Sequence, residues 1–456
     1  MNSLKIVTWN VNGLRSAKHT VLQMLESHDV DIYCFQETKI SRNQIDDSIA
    51  FVPDYSAYFS FPKVKSGYSG VVTYCSERVR PFDAQESFVT NGETFDFIES
   101  QLKELESEGR TMITKHLFMD DKEQMNLFLI NVYCPRADPE NPDRLIFKLN
   151  FYRLMESKVR QLLQNENTHI LILGDINTSC KRIDHCDPDD EFDESPCRQW
   201  LNDFFTISND KPYFIDIFRH LHPETKNAFT CWNTRMNARE TNYGTRIDYC
   251  ICNNGFLRYV EDCVHLTDVM GSDHCPVMLK MKNIKILTSP SYPKLSTKFW
   301  PEFGVGTKQM KMTAFLHRVD SNVMERENKE SSSRKRQKTT SIKQYLSIVS
   351  RKSSTFTQSN NTLVTESKLN EECGQTASQQ AMFEKISASN DAVIQWKNVL
   401  CGPPKPPLCT GHNIPSTLRT VTKVGPNRGR QFFVCSRPVG PRNDPTSQCG
   451  FFKWAK

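Results

Sequence analysis

The sequence has no apolar run long enough to cross a bilayer, and its opening residues, Met1-Asn-Ser-Leu-Lys-Ile-Val-Thr-Trp9, hold no hydrophobic core of a signal segment. No membrane association is expected. Acidic residues nearly vanish from the last 56 positions, where Asp444 stands alone against nine Lys and Arg. So one-sided a balance favours polyanions through counterion release. Apolar residues are also scarce, at 38% of the chain, which predicts that part of it does not pack. What is present is length: 456 residues leave room for two to four folded units at about 100 to 200 per domain. Sixteen cysteines in such a chain, without a signal segment, read as reduced intracellular thiols rather than a disulfide framework. The net charge of +5 conceals a split, because residues 283–456 carry 27 Lys and Arg against 11 Asp and Glu, whereas residues 1–282 carry 31 against 42. An acidic body bears a basic tail.

Up to residue 282 short β-branched runs alternate with helical periodicity. Strands are expected at Lys5 to Asn12, Asp31 to Gln36, Gly70 to Cys75, Leu127 to Tyr133, His169 to Gly174, Arg246 to Cys252 and Val277 to Met281. The clearest helix is predicted from Leu145 to Leu163, where Leu145, Leu149, Tyr152, Met155, Val159 and Leu162 recur every three or four positions. Many strands with few helices predict packed sheets flanked by helices rather than a regular βαβ repeat. From 283 to 400 the composition turns to Ser, Thr, Lys, Asn and Gln without a sustained period, which predicts a disordered linker. It contains Arg334-Lys-Arg-Gln-Lys338, a cluster of the kind nuclear import receptors read.

Polar residues gather where strands are expected to end. Asn10 closes the first, Glu37 follows the second, Asp175 and Asn177 follow Ile170-Leu-Ile-Leu-Gly174, and Asp273 and His274 precede the last. Hard oxygen donors of this kind suit Mg²⁺, which leaves positions open for phosphate and water.

On these residues the chain resembles the exonuclease III family of class II apurinic/apyrimidinic endonucleases. The resemblance runs in order through Trp9-Asn-Val-Asn-Gly-Leu-Arg15, Gln36-Glu-Thr-Lys39, Gly67-Tyr-Ser-Gly-Val71, Asn131-Val-Tyr133, Gly174-Asp-Ile-Asn177, Asn237-Ala-Arg239, Arg246-Ile-Asp-Tyr249 and Gly271-Ser-Asp-His274. It implies an α/β fold, a four-layer α/β sandwich, with the site at one edge of its two sheets. It also implies a DNA-repair nuclease that cuts 5′ to abasic sites and processes 3′ ends. Glu37 is then the main ligand of Mg²⁺ or Mn²⁺, near Asn10 and Asp273, with Asp175, Asn177 and His274 around the ion. Asp175 orients and deprotonates the attacking water, Asn177 stabilises the pentacovalent phosphate, His274 contacts the scissile phosphate under the guidance of Asp248, and Tyr133 lies against the phosphate or the leaving oxygen. The chain departs from the family at Thr245, where efficient abasic-site enzymes carry a bulky aromatic; a looser sugar pocket and relatively stronger trimming of 3′ ends follow. Asn12 stands where close relatives carry Asp. His220 and His222 have no matching context and read as surface residues, and the acid-rich stretch Asp184 to Glu194 reads as a solvated loop.

Near the C-terminus Cys409, His412, Cys435 and Cys449 offer four ligands for a closed Zn²⁺ site within residues 401–456. Gly429-Arg-Gln-Phe-Phe433 between them resembles the GRF zinc finger. Arg419, Lys423 and Arg430 with Phe432 supply phosphate contacts and a stacking face, a pattern suited to single-stranded DNA. In the linker, Thr339-Thr-Ser-Ile342-Lys-Gln-Tyr345-Leu346 resembles the box that binds the sliding clamp, proliferating cell nuclear antigen, through Ile342, Tyr345 and Leu346. Import cluster, clamp box and DNA chemistry together predict a nuclear protein. Two other readings use the same residues: a superfamily hydrolase of a lipid or inositol phosphate, and a repair scaffold with a degenerate site.

Overall fold

The strand Ser3–Asn10 shows why the expected strands lack a simple polar alternation: both of its faces are buried. Leu4 and Ile6 enter one apolar cluster, while Val7 and Trp9 on the opposite face enter another. This structure is a computed structural model, which describes residues 3–303 and 406–455 except 28, 66, 91, 121–122, 138–140, 207–213, 424 and 442–443.

Two sheets face each other. The first has the order Val260–His265, Val277–Lys282, Ser3–Asn10, Ile32–Gln36, Val71–Ser76, Tyr55–Ser60. The second runs Lys285–Leu287, Thr111–Asp120, Glu123–Tyr133, Thr168–Asp175, Asp248–Asn253, Phe214–Asp216, with Asp83–Gln85 added beside Thr111–Asp120. Between them lie Ile6 and Cys34 from one side and Leu127, Leu129, Leu171 and Leu173 from the other. On the outer face of the first sheet, Val7, Trp9 and Phe35 meet Leu14, Ala17, Val21 and Leu25 of the helix Leu14–Glu26. On the outer face of the second, Ile130, Val132, Ile170 and Ile172 meet Phe151, Met155 and Val159 of the helix Pro142–Leu162. Helix, sheet, sheet, helix are the four layers expected.

Asn131 carries a polar bridge across the apolar layer between the sheets. Gln36 donates from Nε2 to Asn131 Oδ1 at 2.8 Å, and Asn131 Nδ2 donates to the carbonyl of Val72 at 2.9 Å.

The seven strands expected from the sequence and the helix are in place with shifted ends. The body does not stop at 282. Lys285–Leu287 pairs antiparallel with Thr111–Asp120, and Trp300 stacks among Phe59, Phe61 and Phe303. Arg42 grips Glu302 through two nitrogens. The anchoring residues Ile284, Ile286, Trp300 and Phe303 are too irregularly spaced for a period, and the surrounding Ser, Thr and Pro hide them in a composition count. The import cluster and the clamp box residues Ile342, Tyr345 and Leu346 lie outside the described residues. Near the C-terminus, Thr417–Thr420, Gln431–Val434 and Phe452–Trp454 form a three-stranded antiparallel sheet.

Candidate active site

Strand register gathers the polar strand ends. Asp175 pairs with Tyr133 on its parallel neighbour and with Asp248 on its antiparallel one, so three site residues stand in a row across one sheet edge. In the other sheet Asn10 pairs with Gln36, which presents Glu37 next to it. The loop carrying Asp273 and His274 is stapled to that edge: Ser272 Oγ donates to the Asn10 carbonyl at 2.7 Å and Trp9 Nε1 to the His274 carbonyl at 3.1 Å. A cleft of about 1020 Å³ opens there, lined by Asn10, Glu37, Tyr133, Asp175, Asn177, Asp273 and His274. Asp248 stands behind His274.

The turns that aim these groups are unusual. Asn12, Glu37, Lys39 and Asn177 all adopt left-handed backbone, with φ of 47°, 51°, 49° and 57°. Such conformations cost roughly 1 kcal/mol or more each outside glycine and cluster where side chains must be aimed. Gly174 lets the row close, since a Cβ there would lie 2.0 Å from the Val132 carbonyl oxygen.

Asp175 is 1% exposed and accepts hydrogen bonds from Asn10 Nδ2 at 2.9 Å, the Asn177 amide at 2.7 Å and Asn177 Nδ2 at 3.1 Å. Burial and then the neighbouring Asp248 push its carboxyl up to about 7, against the pull of His274 and Asn10. His274 donates from Nδ1 to Asp248 Oδ2 at 2.8 Å, and its Nε2 lies 4.0 Å from Asp175 Oδ2. Burial opposes its positive charge, yet Asp248 more than offsets this and holds the imidazolium well above its ordinary range. Thr230 Oγ1 donates to the same Asp248 oxygen at 2.6 Å, which locks the carboxylate in place. Tyr133 donates a hydrogen bond from its hydroxyl to Glu37 Oε1 and lies under the Arg110 guanidinium at 4.5 Å. Burial, reinforced by Glu37, holds its phenol well above the usual range, so it stays a donor. Asn177 Nδ2 donates to the Cys134 carbonyl and to Asp175.

Glu37, Asp273 and Asn10 offer hard oxygens around the same cleft, a donor set that fits a divalent cation; Glu37 Oε2 meanwhile sits 3.0 Å from Lys39 Nζ.

The structure adds groups that the sequence did not single out. Lys148, 2% exposed on the helix Pro142–Leu162, donates from Nζ to the Asn177 carbonyl at 2.7 Å and to Thr178 Oγ1 at 2.8 Å. Among the described residues no carboxylate pairs with it. Its only sequence signal is a lysine on the apolar face of that helix. Asp184, expected in a solvated loop, is instead fully buried, joined to Arg246 at 2.8 Å and Arg219 at 2.6 Å. Two cations compensate its charge where an acid count sees only a negative run. The exposed acids that follow it match the expectation. His220 is exposed, and His222 is half-buried against Phe218 and Asp262. Cys231 and Ile247 line the cleft beside Thr245.

In the C-terminal module the ligand atoms of Cys409, His412, Cys435 and Cys449 lie within 4.8 Å of one another, as a tetrahedral ion requires. Phe432 stacks on Phe452 with centroids 5.2 Å apart, and Arg430 lies 4.0 Å over the Trp454 ring. Arg419 is paired with Phe432 across the strands, and Lys423 is exposed. The aromatics thus form a half-open cluster rather than a sealed core, with Phe452 52% exposed.

Comparison with known proteins agrees with this geometry. The Endonuclease/Exonuclease/phosphatase family matches residues 7–274, and the GRF zinc finger matches residues 407–456. The chain is 39% identical to DNA-(apurinic or apyrimidinic site) endonuclease 2 of Xenopus laevis, covering 99% of this chain and 98% of that protein. It is 30% identical to the exodeoxyribonuclease of Bacillus subtilis over 60% of this chain and 98% of the relative. The crystal structure of the Xenopus laevis APE2 catalytic domain superposes with a TM-score of 0.63 at 44% identity, over 67% of this chain and all of that one. The chain belongs to the endonuclease/exonuclease/phosphatase family and ends in a GRF zinc finger.

Proposed function

We propose that the chain is a DNA-repair nuclease that hydrolyses phosphodiesters 5′ to abasic sites and processes 3′ ends as a 3′→5′ exonuclease and 3′-phosphodiesterase. The observation that carries this reading is the Tyr133–Asp175–Asp248 row with His274 between the two carboxylates, all at one cleft. The names of the relatives supply the substrate class.

A phosphodiester is anionic and repels a hydroxide until donors offset its charge. His274, kept cationic by Asp248, presents Nε2 to a phosphoryl oxygen, and Tyr133 presents its hydroxyl. Asp175, aimed by Asn10 and Asn177, takes the proton of the attacking water. Mg²⁺ or Mn²⁺ would be held by Glu37, Asp273 and Asn10, bordered by Asp175, Asn177 and His274, and when bound it neutralises phosphate charge. Thr245 in place of an aromatic leaves the sugar pocket open, which supports a preference for 3′ ends over internal abasic sites. Zn²⁺ held by Cys409, His412, Cys435 and Cys449 would order the finger, and Arg419, Lys423, Arg430 and Phe432 would engage single-stranded DNA. The box at Ile342, Tyr345 and Leu346 supports binding to proliferating cell nuclear antigen, and the basic cluster supports residence in the nucleus.

The test is one activity panel on duplexes with an internal abasic site, a recessed 3′ phosphoglycolate and a 3′ mismatch, with and without EDTA. Release from 3′ ends that exceeds abasic incision and stops with EDTA is expected. Hydrolysis of an inositol lipid with none of the DNA substrates would refute the reading.

A further inference from the structure

Arg437 to Gly440, between the zinc-ligand positions Cys435 and Cys449, touches the rim of the cleft. The Val439 amide donates to the Met236 carbonyl at 3.0 Å, and Thr241 Oγ1 donates to the Val439 carbonyl at 2.5 Å. Both polar groups of Val439 are therefore satisfied by the body. Its side chain packs on the cluster formed by Phe229, Trp232, Ala238 and Cys275. Gly440 permits this approach, since a Cβ there would stand 2.1 Å from Ser447 Oγ and 3.2 Å from Thr241 Cβ. On the finger side the loop is held by the Gln448 amide, which donates to the Pro438 carbonyl at 2.7 Å. Val439 also lines the cleft, together with Asn233, Arg235 and Met236.

We propose that the Arg437–Gly440 loop of the finger is a docked wall of the active-site cleft, clasping the Asn233–Tyr243 rim through the Val439 backbone and side chain. The apolar patch it covers has an occupant in the same chain, so the finger acts on the cleft directly as well as through any nucleic acid it holds. Removing the clasp frees the rim residues Arg235 and Met236 while leaving Asp175, His274 and their partners in place. The expected result is weaker substrate capture with an unchanged chemical step. This last consequence rests on the nuclease reading; the contact itself does not.

Hydrogen exchange on the full chain without substrate tests the contact. Thr241→Arg blocks the clasp from the body side and leaves the finger sequence intact; Val439→Asp blocks it from the finger side. Exchange in the peptide containing Val439 is expected to accelerate by at least ~10-fold in Thr241→Arg, and exchange in residues 233–243 similarly in Val439→Asp. Zinc content and the melting temperature of the body, measured alongside, exclude misfolding of either part. Unchanged exchange across the interface in both variants would overturn the docking. If exchange changes, KM on a recessed duplex is expected to rise about 5-fold with kcat held; an unchanged KM would overturn the link to the cleft.

Discussion

Replacing Lys148 with methionine separates positioning from stability. The ammonium is buried and makes two hydrogen bonds, at 2.7 and 2.8 Å, without a carboxylate partner among the described residues. Each bond from a charged donor contributes about 1.5 to 3 kcal/mol. Keeping a cation out of water costs several kcal/mol in return. Methionine fills the same stem volume and removes both terms, so the net change in folding free energy is expected to stay within about 2 kcal/mol. For a body of this size that shifts the melting temperature by no more than about 8 °C. Activity is expected to respond much more. Lys148 holds the carbonyl of Asn177, whose left-handed turn delivers two hydrogen bonds to Asp175. A displacement of about 1 Å in such a constellation costs on the order of 10²-fold in rate. Single-turnover cleavage of a recessed duplex should therefore slow by ~10- to 100-fold at saturating enzyme, with binding retained, and Lys148→Gln should fall between. A rate within about twofold of wild type in a folded Lys148→Met protein would refute the positioning argument.

Asp175→Asn and His274→Ala should each reduce turnover by at least ~10²-fold with the fold intact, and Asp248→Asn should approach His274→Ala because the imidazole loses the charge that keeps it protonated. Near-normal rates in any of the three would remove that assignment. His116 is fully buried, and burial lowers its pKa to about 4, below the ordinary value of about 6.5. Its contribution is complete above the unfolded value and is lost as pH falls, amounting to about 2 kcal/mol between pH 7 and 5. His274, shifted upward, acts in the opposite sense, so the quantity to measure is the difference in chemical denaturation between wild type and His116→Asn at the two pH values; equal slopes would contradict the shift. Cys435→Ser should expose residues 406–455 to proteolysis and leave the two-sheet body resistant, since metal binding supplies most of the folding free energy of so small a module. A finger that stays protected after the substitution would show that its core suffices.

Much of this molecule is legible in the sequence because its strand ends are both structural and chemical punctuation. Asn10, Glu37, Asp175 and His274 each close or open an apolar run, so the pattern that marks a strand also marks the site. The strand Thr111–Asp120 was not legible, since Thr, Lys and His interrupt its apolar residues; Thr114 and His116 are nevertheless fully buried and bonded to each other. Asp184 reads as solvated and Lys148 is barely marked in the sequence for a common reason: the partners that bury a charge lie far away along the chain. The left-handed backbone at Glu37 has no signal at all in residue type, because glutamate is not a turn former. The docked Val439 is equally silent, its neighbours Met236 and Thr241 lying some two hundred positions away.

The amide pair joining Gln36 to Asn131 matters beyond its own bond. Apolar side chains between two sheets tolerate small changes of alignment at modest cost, whereas a directional amide bridge between them favours one alignment. Gln36 immediately precedes the carboxylate at 37, and Asn131 lies two positions before the phenol at 133, so the bridge that favours that alignment also sets how far apart those two groups stand. Swapping either amide for leucine would then blunt the enzyme from inside, without touching the surface that meets substrate.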